Sequence, residues 1–173
     1  MPGTTIALSE AEARAISAAV DQQLIERANA QKIPDPIVRD ILPKTDLVFT
    51  NEVWEEILAG ANAYNQVVTA LDLKSKKLIA FMGVKNRAAA PVTTAVKFTL
   101  GSGDAKVKDI WEIEAAEDPV MGNKALYVQN PVIYNSTDIF SIYFYARAAA
   151  TDNLILLGRV CESRGETIVG GGT

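Results

Sequence analysis

The sequence predicts a mainly β chain: an antiparallel β-sandwich of jelly-roll type, preceded by an N-terminal helical arm. Three observations predict it. From Asn65 onward apolar residues recur with period two, in eight strand-length runs punctuated by turn signals and uninterrupted by any helical period. The run Asp138-Ile139-Phe140-Ser141-Ile142-Tyr143-Phe144-Tyr145-Ala146 carries Ile139, Tyr143 and Tyr145 on one side and Phe140, Ile142 and Phe144 on the other. A polar break at Thr151-Asp152-Asn153 and a second apolar run over 154–161 follow, and the pair reads as a hairpin at the centre of the sandwich. Before residue 60, by contrast, the period and the punctuation are helical.

Ser9-Glu10-Ala11-Glu12 has the form of a capping box, in which the Ser9 hydroxyl and the Glu12 carboxylate each satisfy an orphan backbone donor. A helix over about 10–31 is predicted. Its apolar residues Ala13, Ile16, Val20, Leu24 and Ala28 fall at three- and four-residue steps, a narrow stripe flanked by Arg14, Gln22, Glu26 and Arg27. Such a stripe buries little area, and a mostly polar helix needs an external reason to stay folded. Two arrangements supply one: the helix lies on its own sandwich, or it docks on a partner subunit. Ile33-Pro34-Asp35-Pro36 ends the helix, because the residue before a proline avoids the α region. Asp35 and Pro36 then read as the N-cap and first turn of a short helix that stops before Pro43. Residues 34–50 form a connector whose Ile37, Val38, Ile41 and Leu42 need a surface to cover. Together with Ile16, Val20 and Leu24 of the helix, they are the candidate partner-binding residues, expected to be covered by another chain. Residues 51–60 read as a further short helix closed by Gly60 at its C′ position.

Strands are predicted over 66–73 and 78–84, joined by the turn Lys74-Ser75-Lys76-Lys77. Over 94–100, Val96, Phe98 and Leu100 share one face and Ala95, Lys97 and Thr99 the other, the alternation of a half-buried strand. Gly101-Ser102-Gly103-Asp104 turns it into a strand over 107–114, where Val107, Trp111 and Ile113 share a face. An acidic loop over 115–124 leads to strands over 126–128 and 132–134, separated by Asn130-Pro131. Phe98, Trp111, Ile142 and Phe144 are the expected core. The organisation is an arm and connector at 1–60, a sandwich at 61–168 and a glycine-rich tail at 169–173.

Composition narrows the chemistry. At 173 residues, 49% hydrophobic and 22% charged, the chain suits one globular domain with an appendage. No apolar run approaches the about 20 residues that cross a bilayer, and no membrane partner is expected. The start, Met1-Pro2-Gly3-Thr4-Thr5, lacks the basic and apolar regions of a secretory signal, so a cytosol-like compartment is expected. Cys161 is the single cysteine, which forbids an internal disulfide. The formal charge is −4 and the basic residues are scattered apart from 74–77, which argues against direct nucleic-acid binding. The absence of histidine removes the commonest general base and the commonest zinc ligand together.

Each remaining motif has a plain structural reading. Gly101-Ser102-Gly103 lacks the lysine and the following helix of a phosphate loop and reads as a hairpin turn. Glu112, Glu114, Glu117 and Asp118 lack calcium-loop spacing and read as a solvated edge. Cys161, at the end of an apolar strand, reads as a small buried hydrophobe. Tyr127, Tyr134, Tyr143 and Tyr145 can stack sugars or bases, but at strand spacing they read first as packing. Asn135-Ser136-Thr137 reads as a turn, and Arg164-Gly165-Glu166 as part of a C-terminal segment. The expectation is a protein with no catalytic, cofactor-binding or metal-binding residues.

A polar helical arm, a proline-bound connector and an eight-strand sandwich ending in Arg164-Gly165-Glu166-Thr167 resemble the jelly-roll decoration or cement proteins of tailed bacteriophage heads. The segments Ala80-Phe81-Met82-Gly83-Val84-Lys85-Asn86 and Ile142-Tyr143-Phe144-Tyr145-Ala146-Arg147-Ala148 carry the resemblance, over most of residues 60–168. It implies a non-enzymatic virion protein, made in the host cytoplasm, that binds the capsid exterior, often as a homotrimer, and holds major capsid subunits together. A neck, tail or fibre-base component, and a carbohydrate-binding sandwich, are the alternatives that the same pattern admits.

Overall fold

The computed structural model describes residues 5–7, 9–113 and 125–165. In chain order the elements are β1 (Thr5–Ala7), α1 (Glu10–Ala30), β2 (Pro36–Asp40), α2 (Pro43–Leu47), β3 (Glu56–Leu58), β4 (Ala63–Asp72), β5 (Lys77–Asn86), β6 (Thr93–Leu100), β7 (Lys106–Glu112), β8 (Leu126–Tyr134), β9 (Ile139–Ala146), β10 (Ala150–Asp152) and β11 (Leu154–Ser163). Four antiparallel pairs nest inside one another: β2 with β11, β4 with β9, β5 with β8, and β6 with β7. Nested pairs describe one long ribbon folded back at the β6–β7 turn. Rolling that ribbon brings β5 beside β11 and β6 beside β9. The result is two main sheets, ordered β1-β8-β5-β11-β2 and β4-β9-β6-β7, with β3 and β10 as a small separate pair. Eight long strands in this order form a jelly roll, the predicted class.

The topology corrects the expected central hairpin. β9 lies inside the four-stranded sheet and β11 inside the five-stranded one, so the two runs face each other across the core. A hairpin needs a tight connection; here residues 147–153 intervene and spend β10 on pairing with β3. The lysine turn after β4 likewise carries the chain from one sheet to the other.

Aromatic rings fill the space between the sheets. Phe81, on β5, lies 5.2 Å from Phe98, 6.3 Å from Tyr134 and 6.2 Å from Phe140, centroid to centroid. Phe98 meets Trp111 at 4.5 Å, and Tyr134 stacks on Phe140 at 4.2 Å while its hydroxyl donates to the Thr99 carbonyl. Phe98, Trp111, Ile142 and Phe144 are buried as expected. Val107 is not: β7 carries an extra residue, Lys108, between Asp109, the partner of Phe98, and Val107, the partner of Thr99, and this bulge breaks the alternation and leaves Val107 exposed.

The strand buried on both faces is β5 rather than β9. Ile79 and Phe81 face the sandwich core, while Leu78, Ala80 and Met82 face outward under α1. Met82 is an extra residue against β11, where Leu157 pairs with Gly83 and Gly158 with Phe81. This bulge advances the alternation by one, so that Val84 rejoins the core side. Backbones approach closely there: a Cβ on Gly83 would meet the Leu126 carbonyl oxygen at 2.2 Å, and one on Gly158 the Ala80 carbonyl oxygen at 2.2 Å. The runs 126–128 and 132–134 belong to one strand, β8, whose register against β5 breaks around the Asn130-Pro131 step.

The N-terminal helix forms as predicted, with both halves of the Ser9–Glu12 capping box in place. Its stripe does not wait for a partner. Val20, Leu24 and Ala28 are buried on the outer face of the five-stranded sheet, among Leu78, Ala80, Met82, Ile133 and Cys161. The polar flanks add fasteners that the stripe alone lacks. Arg159 grips Asp21 with two nitrogens, at 2.7 and 3.0 Å, and also pairs with Asp40. Arg27 and Gln31 donate to the Asn135 side chain at 3.2 and 3.3 Å.

Two short helices of the connector are corrected. Pro36–Asp40 is the strand β2, paired with β11, and the short helix sits one proline later, at Pro43–Leu47. The β-branched Ile37-Val38 finds an open sheet edge there, and pairing outweighs the local Asp-Pro cap. Residues 51–60 are not helical; Glu56–Leu58 is β3, held by β10.

Leu24→Ala tests whether α1 is integral. A fully buried leucine truncated to alanine is expected to cost about 2–5 kcal/mol, read as a lowered urea midpoint with unchanged slope. A loss within about 0.5 kcal/mol, the range of surface substitutions, would show the helix to be an accessory to the sandwich.

Candidate functional site

The seven candidate partner-binding residues separate into three environments. Val20, Leu24 and Ile41 are buried inside the chain, so the expectation that another chain covers them is corrected: the outer sheet face covers the first two and the sandwich core the third. Ile16, Ile37 and Val38 are half-buried, with Ile16 and Val38 packed against the cluster beneath α1. Leu42 alone is exposed.

Leu42 belongs to a concentration that sequence reading missed. Of seven exposed large apolar side chains among the described residues, four, namely Leu42, Val48, Val53 and Ile57, fall between 42 and 57. The segment is anchored, since Leu47 and Phe49 are buried, Phe49 meets Trp54 edge to face at 5.5 Å, and the Asn153 amide donates to the Trp54 carbonyl. Val48 caps α2 in the left-handed region, φ 60° and ψ 32°, and is 71% exposed. A β-branched residue rarely adopts that conformation. Burying its two neighbours turns Val48 outward.

Beside it stands a charged cluster. Arg39 forks onto Asp46 at 2.7 and 2.9 Å, Lys77 reaches Asp46 at 2.6 Å, the Leu42 N–H donates to it at 2.7 Å, and Arg39 Nε meets Glu162 at 2.8 Å. The Asp46 side chain is wholly buried. Burial alone would raise its pKa, but the hydrogen bonds from Arg39, Lys77 and Leu42, with the Lys77 charge, outweigh it and hold the carboxyl below the ordinary range. The cluster ties β2, α2, β5 and β11 together. Asp46 and Glu162 also form part of the wall of a cleft of about 500 Å³, whose other lining includes Val48, Leu71, Leu73, Lys74 and Lys76.

A second buried carboxylate, Asp152, accepts from the Asn86 amide, the Thr93 hydroxyl and the backbone N–H groups of Val92, Thr93 and Asn153, at 2.6–3.3 Å. Both buried aspartates are thus saturated by donors, an arrangement that fastens rather than reacts. Among the described residues no group of three histidine, cysteine, aspartate or glutamate side chains is placed to hold a metal. Burial pushes the Cys161 thiol up to about 11, far from a reactive thiolate.

The tyrosines divide as well. Tyr134 is core and Tyr127 packs beneath α1, while Tyr143 and Tyr145 face outward from the four-stranded sheet beside Tyr64. Tyr64 and Tyr145 are cross-strand partners with rings 5.2 Å apart, and the Lys97 ammonium lies 4.4 Å from the Tyr64 ring and 4.3 Å from that of Tyr143. Burial, with Asp104 accepting the Tyr143 hydroxyl, raises that phenol to about 12. Gly101-Ser102-Gly103 forms the β6–β7 turn as expected. Glu112 is exposed on β7, whereas Glu114, Glu117, Asp118 and residues 166–173 of the tail lie outside the described residues. No helix among the described residues is long and apolar enough to cross a membrane.

Asp46→Asn leaves Arg39 and Lys77 without their shared counter-charge, and breaking a buried pair in this way costs about 3–5 kcal/mol. A carboxyl depressed in the folded state contributes fully above its unfolded pKa and loses that contribution as pH falls through the folded value. The gap in stability between the native chain and Asp46→Asn is therefore expected to hold from neutral pH down to about 4 and to close in stronger acid. Urea midpoints measured from neutral to acid pH check this; a gap that persists throughout would remove Asp46 as a titrating fastener.

In comparisons with known proteins, no family model, no curated protein and no solved structure matches the chain.

Proposed function

We propose that this chain is a non-enzymatic structural protein of a virion, which binds the capsid exterior and cements or decorates the shell through subunit–subunit contacts. The observation that carries the reading is the exposed apolar set Leu42, Val48, Val53 and Ile57, presented on an anchored segment. Exposed apolar groups concentrated on one stretch of chain point to interaction surfaces there, and a pre-ordered segment loses little entropy on docking. The closed jelly roll, an architecture shared by viral capsid and lectin domains, supports the same reading, as does the resemblance to phage decoration proteins. The helix takes the first of its two expected arrangements, lying on its own sheet. The partners are major capsid or other virion subunits and further copies of the chain, as a trimer by resemblance. Electron microscopy of particles assembled with and without the chain is expected to show density lost from the outside of the shell. Density lost from the neck or tail would move the chain to the second virion role, and particles unchanged by its removal would overturn the proposal.

The outward tyrosines favour one other reading, a carbohydrate-binding module. Tyr64, Tyr143 and Tyr145 form an aromatic patch on the outer face of the four-stranded sheet, and sugars stack on such rings. Lys97 already occupies one face of two of them. Calorimetric titration with a soluble oligosaccharide such as cellohexaose tests this reading. Measurable heat that Tyr145→Ala reduces at least tenfold in affinity would support it, and no heat at millimolar sugar would count against it.

A further inference from the structure

Two surfaces of the chain are complementary to each other. The first is the cleft between α2 and the turn after β4, with Val48, Leu71 and Leu73 as apolar lining and Lys74 and Lys76 among its charged residues. Both lysines are exposed, and neither makes an ion pair among the described residues. Lys77 differs, being committed to Asp46. The other carboxylates of the wall, Asp46 and Glu162, are neutralised by Arg39 and Lys77, so Asp72 alone opposes the two ammonium groups. The chain as a whole is acidic, at −4, and this turn is its one basic run.

The second surface is the stretch Glu52-Val53-Trp54-Glu55-Glu56-Ile57. Val53 and Ile57 are 61% and 79% exposed. Among the described residues, Glu52 is held by a loose, exposed contact with Lys44 at 3.8 Å, and Glu55 by a 3.4 Å bond from Asn51. Contacts of this kind contribute little and exchange readily. The stretch borders a separate hollow of about 440 Å³ with Arg87, Asn153 and Ile155, and no residue lines both this hollow and the lysine cleft.

We propose that the acidic, apolar stretch 52–57 of one copy docks against the lysine cleft of a second copy, with Glu52 and Glu55 facing Lys74 and Lys76 and an aliphatic side chain set beside Val48 and Leu71. This inference rests on the structural reading above and names its interface. Apolar contact supplies affinity, while the charges set register and the rate of encounter. Two different patches on one chain make a head-to-tail contact, which closes into a ring when the rotation permits. A homotrimer is such a ring. The exposed valine in a strained backbone at the cleft then has a role, because the conformation that fits α2 to the core also presents Val48 to the neighbour.

Light scattering on the full chain tests the interface. The native protein is expected to show a mass near three times its 18.6 kDa, falling as salt is raised because exposed charges are screened. The paired substitutions Lys74→Glu with Lys76→Glu, and Glu52→Lys with Glu55→Lys, are each expected to give monomers with unchanged circular dichroism. An equimolar mixture of the two variants should recover association as heterodimers, because each variant's altered surface is complementary to the other's, whereas a three-membered ring of alternating variants cannot close. That recovery also shows both variants to be folded. Ile57→Asp, which leaves every charge pair in place, should weaken association at least tenfold. Variants that stay oligomeric, or a mixture that stays monomeric, would overturn this interface while leaving the virion reading intact. A native chain that is monomeric at all concentrations yet forms density on shells would likewise overturn only the interface; monomers that also leave particles unchanged would overturn both.

Discussion

Strand β5 is buried on both faces, and the rest of the structure depends on that constraint. Its inner face supplies Phe81, the ring that touches aromatic side chains of β6, β8 and β9. Its outer face supplies Leu78, Ala80 and Met82, which α1 covers. Without the helix, an apolar sheet face would lie open to water; without the aromatic cluster, the two sheets would have no common centre. The Met82 bulge allows one strand to serve both, since it resets the alternation between the stretch under the helix and the end that rejoins the core. Close backbone approach at Gly83 and Gly158 keeps the neighbouring strands against that bulge.

Charge in this molecule is used as a fastener. Arg159 holds the helix to the sheet through Asp21, and Arg39 and Lys77 hold α2 to β2 and β5 through Asp46. Asp152 joins β5, β6 and β10 through five neutral donors. Buried carboxylates are tolerable only when their lone pairs are met, and both aspartates satisfy that condition. Lys74 and Lys76, which make no ion pair among the described residues, line the cleft with Val48, and the loosely held Glu52 and Glu55 lie close in the chain to the exposed Val53 and Ile57. Internal ion pairs hold the cleft in shape, and in the proposed interface the external groups recognise the neighbour.

An anchored surface of this kind suits assembly better than a disordered arm would. An arm that orders only on binding subtracts its ordering entropy from the affinity. Here the helix is folded against the monomer, and the aliphatic side chains of 42–57 project from a segment pinned by Phe49, Trp54 and Asn153. The strain at Val48 follows from the same packing, because Leu47 and Phe49 must both point inward.

Periodicity and capping chemistry determined the mainly β class, the N-terminal helix with its Ser9–Glu12 box, and the inward faces of the strands carrying Phe98, Trp111, Ile142 and Phe144. These are local properties: alternation states which side of a strand is apolar, and a cap is satisfied within three residues. What the sequence could not determine was partnership. The runs over 138–146 and 154–161 looked like neighbours and lie in opposite sheets, because jelly-roll pairing nests strands that are distant in the chain. Ile37-Val38 became a strand because β11 offers an edge more than a hundred residues away, and the helix stripe closed on its own sheet because β5 leaves an apolar face there. The buried roles of Asp46 and Asp152 were equally illegible, since a carboxylate beside a proline or in a polar break reads as a turn residue until the fold brings its donors to it. Arg39 and Glu162 meet across 123 positions, and no local pattern encodes a contact of that span. Tertiary structure decided these points because burial and hydrogen-bond satisfaction are properties of the closed fold, whereas periodicity belongs to each strand alone.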